Sequence, residues 1–169
     1  MAQSTRTVGF RPHLSEEGLP PLSAQESATL ALLGSFLEGD LPWLSRALAD
    51  EVGLLHLRRS DPLHRQRSVE VGVINRRRRA ARSFFVHLFQ GEIEENFLRT
   101  LRGAWLPEIL NPDGSGTVGA QAARTFLDYA KGLLAGALHF DPNANLVPMV
   151  RLQRAVDAAF QRMRVFLGA

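Results

Sequence analysis

Oxygen-bearing side chains occupy every second position at the start of segment 111–118, as in calcium loops of the EF-hand type. These candidate ligands are Asn111, Asp113, Ser115 and Thr117, and Gly116 stands at the turn position. The position that needs a bidentate glutamate is Ala122, so only Asp113 would bring a carboxylate to the cation. We therefore expect an ordinary turn between helices, with a degenerate calcium site as the alternative.

Histidine is the second residue type with possible site chemistry, and the five histidines are His13, His56, His64, His87 and His139. No pair has the spacing of a helical zinc motif. His87 lies in an apolar run, where it is a candidate haem ligand or part of a small-ligand pocket. That pocket would be lined by Phe85, His87, Trp105, Leu106, Phe126 and Tyr129. We favour a core or boundary histidine with a hydrogen-bond partner, and we expect no cofactor.

Catalytic patterns are missing from the sequence. The chain has no cysteine, which excludes a disulfide scaffold, a thiolate zinc site and a thiol nucleophile. It has no G-x-S-x-G nucleophile elbow and no glycine-rich phosphate-binding motif. Adjacent acids such as Glu94 and Glu95 would point in different directions on a helix. We therefore expect a protein that is not an enzyme.

Arginine is concentrated in one stretch. Nine arginines against Asp61 and Glu70 give segment 57–82 a charge of +7, which leaves −4 for the rest of a chain with net charge +3. The face that we expect to bind a partner is Arg76, Arg77, Arg78, Arg79 and Arg82, and we expect most of these consecutive side chains to be exposed. Its candidate partners are an acidic protein, an anionic membrane or nucleic acid. The acidic remainder disfavours nucleic acid, and a solvated helix start with local salt bridges is the simplest alternative.

The elements that would position these residues are helices. The capping-box pattern of Ser23 and Glu26 precedes leucines at helical spacing, and a second helix is predicted from Asp40–Pro42 to Gly53. Periodicity is poor over 54–75, where 69–73 is the lone strand-like stretch. Helical spacing resumes from the arginine run to Gly91.

Three further helices are predicted downstream. One has an acidic first turn at 92–95, a long one covers 122–138, and the last covers 149–167. Segments 111–119 and 139–145 are predicted loops. The prediction is an all-α single-domain bundle of six or seven helices over 23–169, after a flexible arm at 1–22. No apolar run is long enough to span a membrane, so we expect a cytoplasmic protein.

The stretch from Phe84 to Gly91, followed by acids, Phe97 and Gly103, resembles the middle of the globin-coupled-sensor and protoglobin group of sensory globins. Segment 149–167 is similar to the last helix of that group, and the helix order is compatible over 23–167. Segment 105–107 (Trp-Leu-Pro) replaces the iron-ligating histidine, 111–119 is an insertion and 54–75 does not align. The resemblance therefore implies a haem-less globin-like fold that serves as a signal-input or adaptor module.

These observations favour a non-enzymatic regulatory or sensory module that binds a protein partner. A small apolar ligand between the central helices is one way in which such a module would receive a signal. The first alternative is an interaction protein that uses the basic segment 58–82 on an acidic surface. The second is a haem- or calcium-binding protein with a degenerate site. The sequence leaves open whether the chain forms a homodimer.

Overall fold

The computed structural model describes residues 21–60, 71–110, 118–140 and 147–169. Within these ranges the regular structure is entirely helical, which confirms the all-α prediction. The helices are α1 (Ala24–Phe36), α2 (Leu41–Ser60), α3 (Val71–Leu88), α4 (Glu95–Thr100), α5 (Leu106–Leu110), α6 (Ala120–Phe140) and α7 (Met149–Leu167). A π-helical turn, Leu101–Trp105, joins α4 to α5, so that six continuous helical segments are described.

Phe84 on α3 is the centre of the core. Its ring centroid lies 5.1 Å from that of Phe126 on α6, 6.2 Å from that of Phe97 on α4 and 6.3 Å from that of Trp105. Two of these pairs meet edge to face, an arrangement that aromatic rings prefer. Helix α2 packs on α3, α5 and α6, and α7 packs on α1 and α6. One apolar cluster thus receives residues from every helix.

The start of α1 confirms the predicted capping box. The backbone N–H of Glu26 donates to Ser23 Oγ at 3.2 Å, and the Ser23 N–H donates to Glu26 Oε2 at 2.8 Å. These bonds satisfy two groups that a helix start otherwise leaves without an acceptor. Residues 1–20 of the predicted arm lie outside the described residues, but Leu22 packs against the core.

Two predicted boundaries were wrong. Helix α2 does not stop at Gly53 but continues to Ser60, since a glycine inside a helix costs only about 1 kcal/mol and does not by itself end the helix. The acidic segment 92–95 does not begin a helix at residue 92, because Glu94 is still extended and α4 starts at Glu95. Residues 71–73 of the strand-like stretch belong to α3, which begins at Val71, and residues 69 and 70 lie outside the described residues.

The π turn was not predicted, and Pro107 supplies its physical reason. A proline inside an α-helix lacks the N–H that would donate four residues back, and its ring crowds the carbonyl there. Immediately before it, the Leu106 N–H donates to the carbonyl of Leu101, five residues back, which widens the helix. The helical path therefore continues through the proline.

Gly91 lets the turn after α3 approach α1 closely. Its φ of 74° lies in the left-handed region, and a Cβ built there would overlap the carbonyl of Ser27. We predict that Gly91→Ala lowers the free energy of unfolding by about 2 kcal/mol or more, because backbone strain and overlap add. Urea denaturation measures this.

The matched control is Gly132→Ala in α6, where a Cβ meets no atom within 4 Å. There we expect a gain of about 0.5–1 kcal/mol from the higher helix propensity of alanine. Equal effects of the two substitutions would contradict the close approach of the turn to α1.

Candidate functional site

The arginine run is spread around the circumference of α3 because consecutive helix residues point about 100° apart. Arg76 points toward α5, where its Nε lies 3.4 Å from Glu108 Oε1. Arg77 points into the core, and Arg78 and Arg79 point toward α2. The run is therefore not one basic face but three environments.

Arg77 corrects the expectation for the basic face. Its side chain is only 4 % exposed, and among the described residues its Nε and Nη2 have no hydrogen-bond partner. The reason is spacing: Arg77, Ala81, Phe84 and Leu88 form the buried stripe of α3, at intervals of four and three residues. Burial lowers the pKa of Arg77, while the negative charge of Asp50 raises it.

A concave surface between α2 and α3 holds Arg78, Arg79 and Arg82. We call it the arginine groove; it is lined by Pro42, Ser45, Arg46, Asn75, Arg78, Arg79 and Arg82, and its volume is about 530 Å³. Each helix contributes residues spaced three and four apart, which is the spacing of one helix face. The two faces meet because α2 packs along α3.

Asp50 on α2 is the acidic residue paired with Arg78 of this groove. Its carboxylate accepts hydrogen bonds from Arg78 Nε at 3.1 Å and from Arg78 Nη2 at 2.6 Å. This two-bond geometry is the strong form of an arginine–carboxylate pair. The hydrogen bond with Asp50 raises the pKa of Arg78. Arg78 is thus already satisfied within the chain.

The other three guanidinium groups of the groove face water. Arg46, Arg79 and Arg82 are exposed, and none of them has an ion pair within the described part of the chain. The Ser45 hydroxyl already donates to the Leu41 carbonyl at 2.6 Å. Over the described residues, the groove therefore offers mainly cationic donors without a counter-ion, a surface suited to an anionic ligand.

An exposed tryptophan lies one helical turn before Arg46 of the groove, although it does not line the groove itself. Trp43 precedes Arg46 by three residues on α2, and 52 % of its surface is exposed. Large aromatic side chains combined with arginine are typical of protein-binding surfaces. Sequence reasoning missed Trp43, Arg46 and Asp50 because the pairing of α2 with α3 cannot be read from either helix alone.

The six residues proposed to line a ligand pocket occupy different environments. Phe85, Leu106 and Phe126 are buried in the packed core, and so is Trp105 beside Phe84. His87 is exposed on the outer side of α3, where its Nδ1 lies 2.8 Å from the Ser83 carbonyl oxygen. Its ring centroid is 5.1 Å from that of Trp105. Tyr129 is half-buried on α6, so the pocket stays a prediction.

The calcium-loop candidates Asn111, Asp113, Ser115 and Thr117 lie outside the described residues. In the part that is described, no three histidine or acidic side chains come close enough together to hold a metal ion. Over the same ranges, no helix combines the length and the apolar character that crossing a membrane requires.

Comparison with protein families, with curated proteins and with solved structures found no match for this chain. The resemblance to haem-less sensory globins stays a prediction. What the protein does must therefore be argued from its own side chains, and the arginine groove is the strongest feature among them.

Tyr129 gives a direct test of the α2–α6 contact because it is the only tyrosine in the chain. Burial, aided by the charge of Glu51, raises its pKa above the ordinary value of 10.0. We predict a tyrosinate absorbance titration with its midpoint above 10.0 in the folded protein, shifted downward in Glu51→Gln. A midpoint at or below the ordinary value would contradict this placement.

The raised pKa also has a stability consequence, and its sign follows from linkage. The stabilising contribution of protonated Tyr129 is complete below the unfolded value of about 10 and is lost as pH rises through the folded value. The free energy of unfolding should therefore fall less steeply with rising pH above about 10 in Tyr129→Phe than in the unaltered protein.

Proposed function

We propose that this protein is a non-enzymatic interaction module that binds an acidic segment of a protein partner in the arginine groove. The observation that carries the proposal is the set of three exposed guanidinium groups, Arg46, Arg79 and Arg82, that have no acidic partner among the described residues. Arginine presents a planar fork of donors that matches a carboxylate. A regulatory role in the cytoplasm is part of the same proposal.

The size of the groove favours a short peptide segment. Arg79 and Arg82 are three residues apart, which is about 4.5 Å along α3. An extended peptide covers that length with one or two residues, at about 3.4 Å each. Arg46 on the opposite side of the groove adds a third cation. A cluster this compact fits two or three acidic side chains.

The other anionic partners are less well supported. A nucleic-acid surface is typically a long basic stripe, whereas the groove holds four arginines, one of them paired with Asp50, and the chain outside segment 57–82 carries −4. Stable attraction to an anionic membrane uses clusters of about four to eight basic residues on an open surface. Here Asp50 neutralises Arg78 within a concave groove. The exposed Trp43, three residues before Arg46 on α2, offers an apolar contact to a peptide.

The test is binding of a fluorescent oligoglutamate peptide, followed by anisotropy. We predict that Arg79→Gln combined with Arg82→Gln lowers the affinity by about tenfold, because two exposed ion pairs of about 0.7 kcal/mol each sum to about 1.4 kcal/mol. Binding to the unaltered protein should weaken as salt rises, since exposed charges are screened.

The control variant is Arg124→Gln combined with Arg154→Gln, which removes two exposed arginines from α6 and α7 and gives the same net charge. It should change the affinity less than twofold, by roughly 0.4 kcal/mol or less. If both double variants weaken binding equally, net charge rather than the groove holds the peptide. Tighter binding of duplex DNA or phosphatidylserine vesicles than of the peptide would also overturn the proposal.

A further inference from the structure

The buried guanidinium of Arg77 is the polar group in the described core that most needs a partner. At 4 % exposure, its Nε and Nη2 find no hydrogen-bond acceptor among the described residues. A buried cation without a partner is strongly destabilising unless a negative charge lies close by. The carboxylate placed beside this part of α3 is Asp50, which accepts hydrogen bonds from the adjacent Arg78 and whose negative charge raises the pKa of Arg77.

Asp50 lies at the boundary between the core and the arginine groove. Its side chain is one-third exposed, and it belongs to the face of α2 that packs on α3. Its two oxygens are committed to Arg78, the next residue after Arg77. Two adjacent guanidinium groups could thus pair with the Asp50 carboxylate. Arg78 is partly exposed and binds it, whereas Arg77 is buried, and its Nε and Nη2 lack an acceptor in the described part of the chain.

We propose that Asp50 exchanges between Arg78 and Arg77, and that an acidic ligand bound to Arg78 drives this exchange. The inference rests on the proposed function of the groove. A ligand carboxylate replaces Asp50 on Arg78, and Asp50 then turns inward to accept hydrogen bonds from Arg77. Both guanidinium groups are paired at the end of the exchange, because the ligand brings the second negative charge.

Because of this exchange, ligand binding at the surface also changes the ion pairing of Arg77 in the core. In the free protein, Asp50 occupies the subsite that a ligand carboxylate would take and acts as an internal competitor. In the bound protein, the α2–α3 contact gains a buried ion pair. Binding and the stability of this contact are therefore coupled, as linkage between a ligand and a conformational state requires.

The first test needs no ligand, because Arg78→Gln should release Asp50 by itself. A double-mutant cycle of Asp50→Asn and Arg77→Met is measured by urea denaturation with Arg78 and again with Arg78→Gln. We expect the coupling factor between Asp50 and Arg77 in the folding equilibrium constant to rise about fivefold in the Arg78→Gln background. Glu51→Gln in place of Asp50→Asn is the control and should show no such rise.

Arg77→Lys is the second variant. Because lysine keeps a cation at position 77, the interaction of this position with Asp50 should still be enhanced in the Arg78→Gln background, whereas Arg77→Met removes it. A coupling factor that is the same in the Arg78 protein and in the Arg78→Gln background would overturn the exchange.

The second test uses the oligoglutamate peptide. Arg77→Met should weaken peptide binding about fivefold when Asp50 is present and leave it unchanged in Asp50→Asn, a difference of about 1 kcal/mol. Equal effects in both backgrounds would overturn the exchange while leaving the groove intact. If the peptide does not bind, the proposed function fails, and the ligand-free cycle still decides whether Asp50 is shared.

Discussion

Helix α3 must bury the face that carries Phe84, and this constraint determines the rest of the structure. Phe84 meets aromatic rings from α4, α6 and the π turn, so rotating α3 would lose contacts with three elements at once. A helix is rigid enough that fixing one residue fixes the direction of its neighbours. The position of every arginine from 76 to 82 follows from that of Phe84.

The arrangement of charge is a consequence of this register. Arg77 lies seven residues before Phe84, on the same buried face of α3. Its side chain therefore lies in the core, although burial there is unfavourable for a cation. The next two residues, Arg78 and Arg79, are directed toward α2 and form the groove with Arg46. Asp50 connects the two environments, because it binds Arg78 and lies close enough to influence the pKa of Arg77. The core and the candidate binding surface thus share one carboxylate.

The sequence predicted well what depends on local chemistry. The capping box of Ser23 and Glu26, the break around Gly39 and the full extent of α7 follow from neighbouring residues and were confirmed. The continuation of α2 past Gly53 and the π turn before Pro107 were missed, since both depend on packing or on backbone geometry that a residue pattern does not encode.

The candidate site was only half predictable. The arginine run marks one side of the groove, and the spacing of Arg77 from Ala81 and Phe84 was a signal that it would be buried. The opposite side, with Arg46 and Asp50, required knowing that α2 packs along α3, which is a long-range contact. The binding partner is a matter of charge complementarity, and it stays a proposal.

The most direct measurement of the α3 register is solvent exchange of the arginine Nε protons by nuclear magnetic resonance. Each arginine has one Nε proton, so the exchange rates of consecutive arginines on α3 can be compared directly. We predict slow exchange for Arg77 and fast exchange for Arg79 and Arg82, because the first is buried and the others face water. Exchange at Arg77 as fast as at Arg79 would contradict the buried guanidinium and the register on which the groove depends.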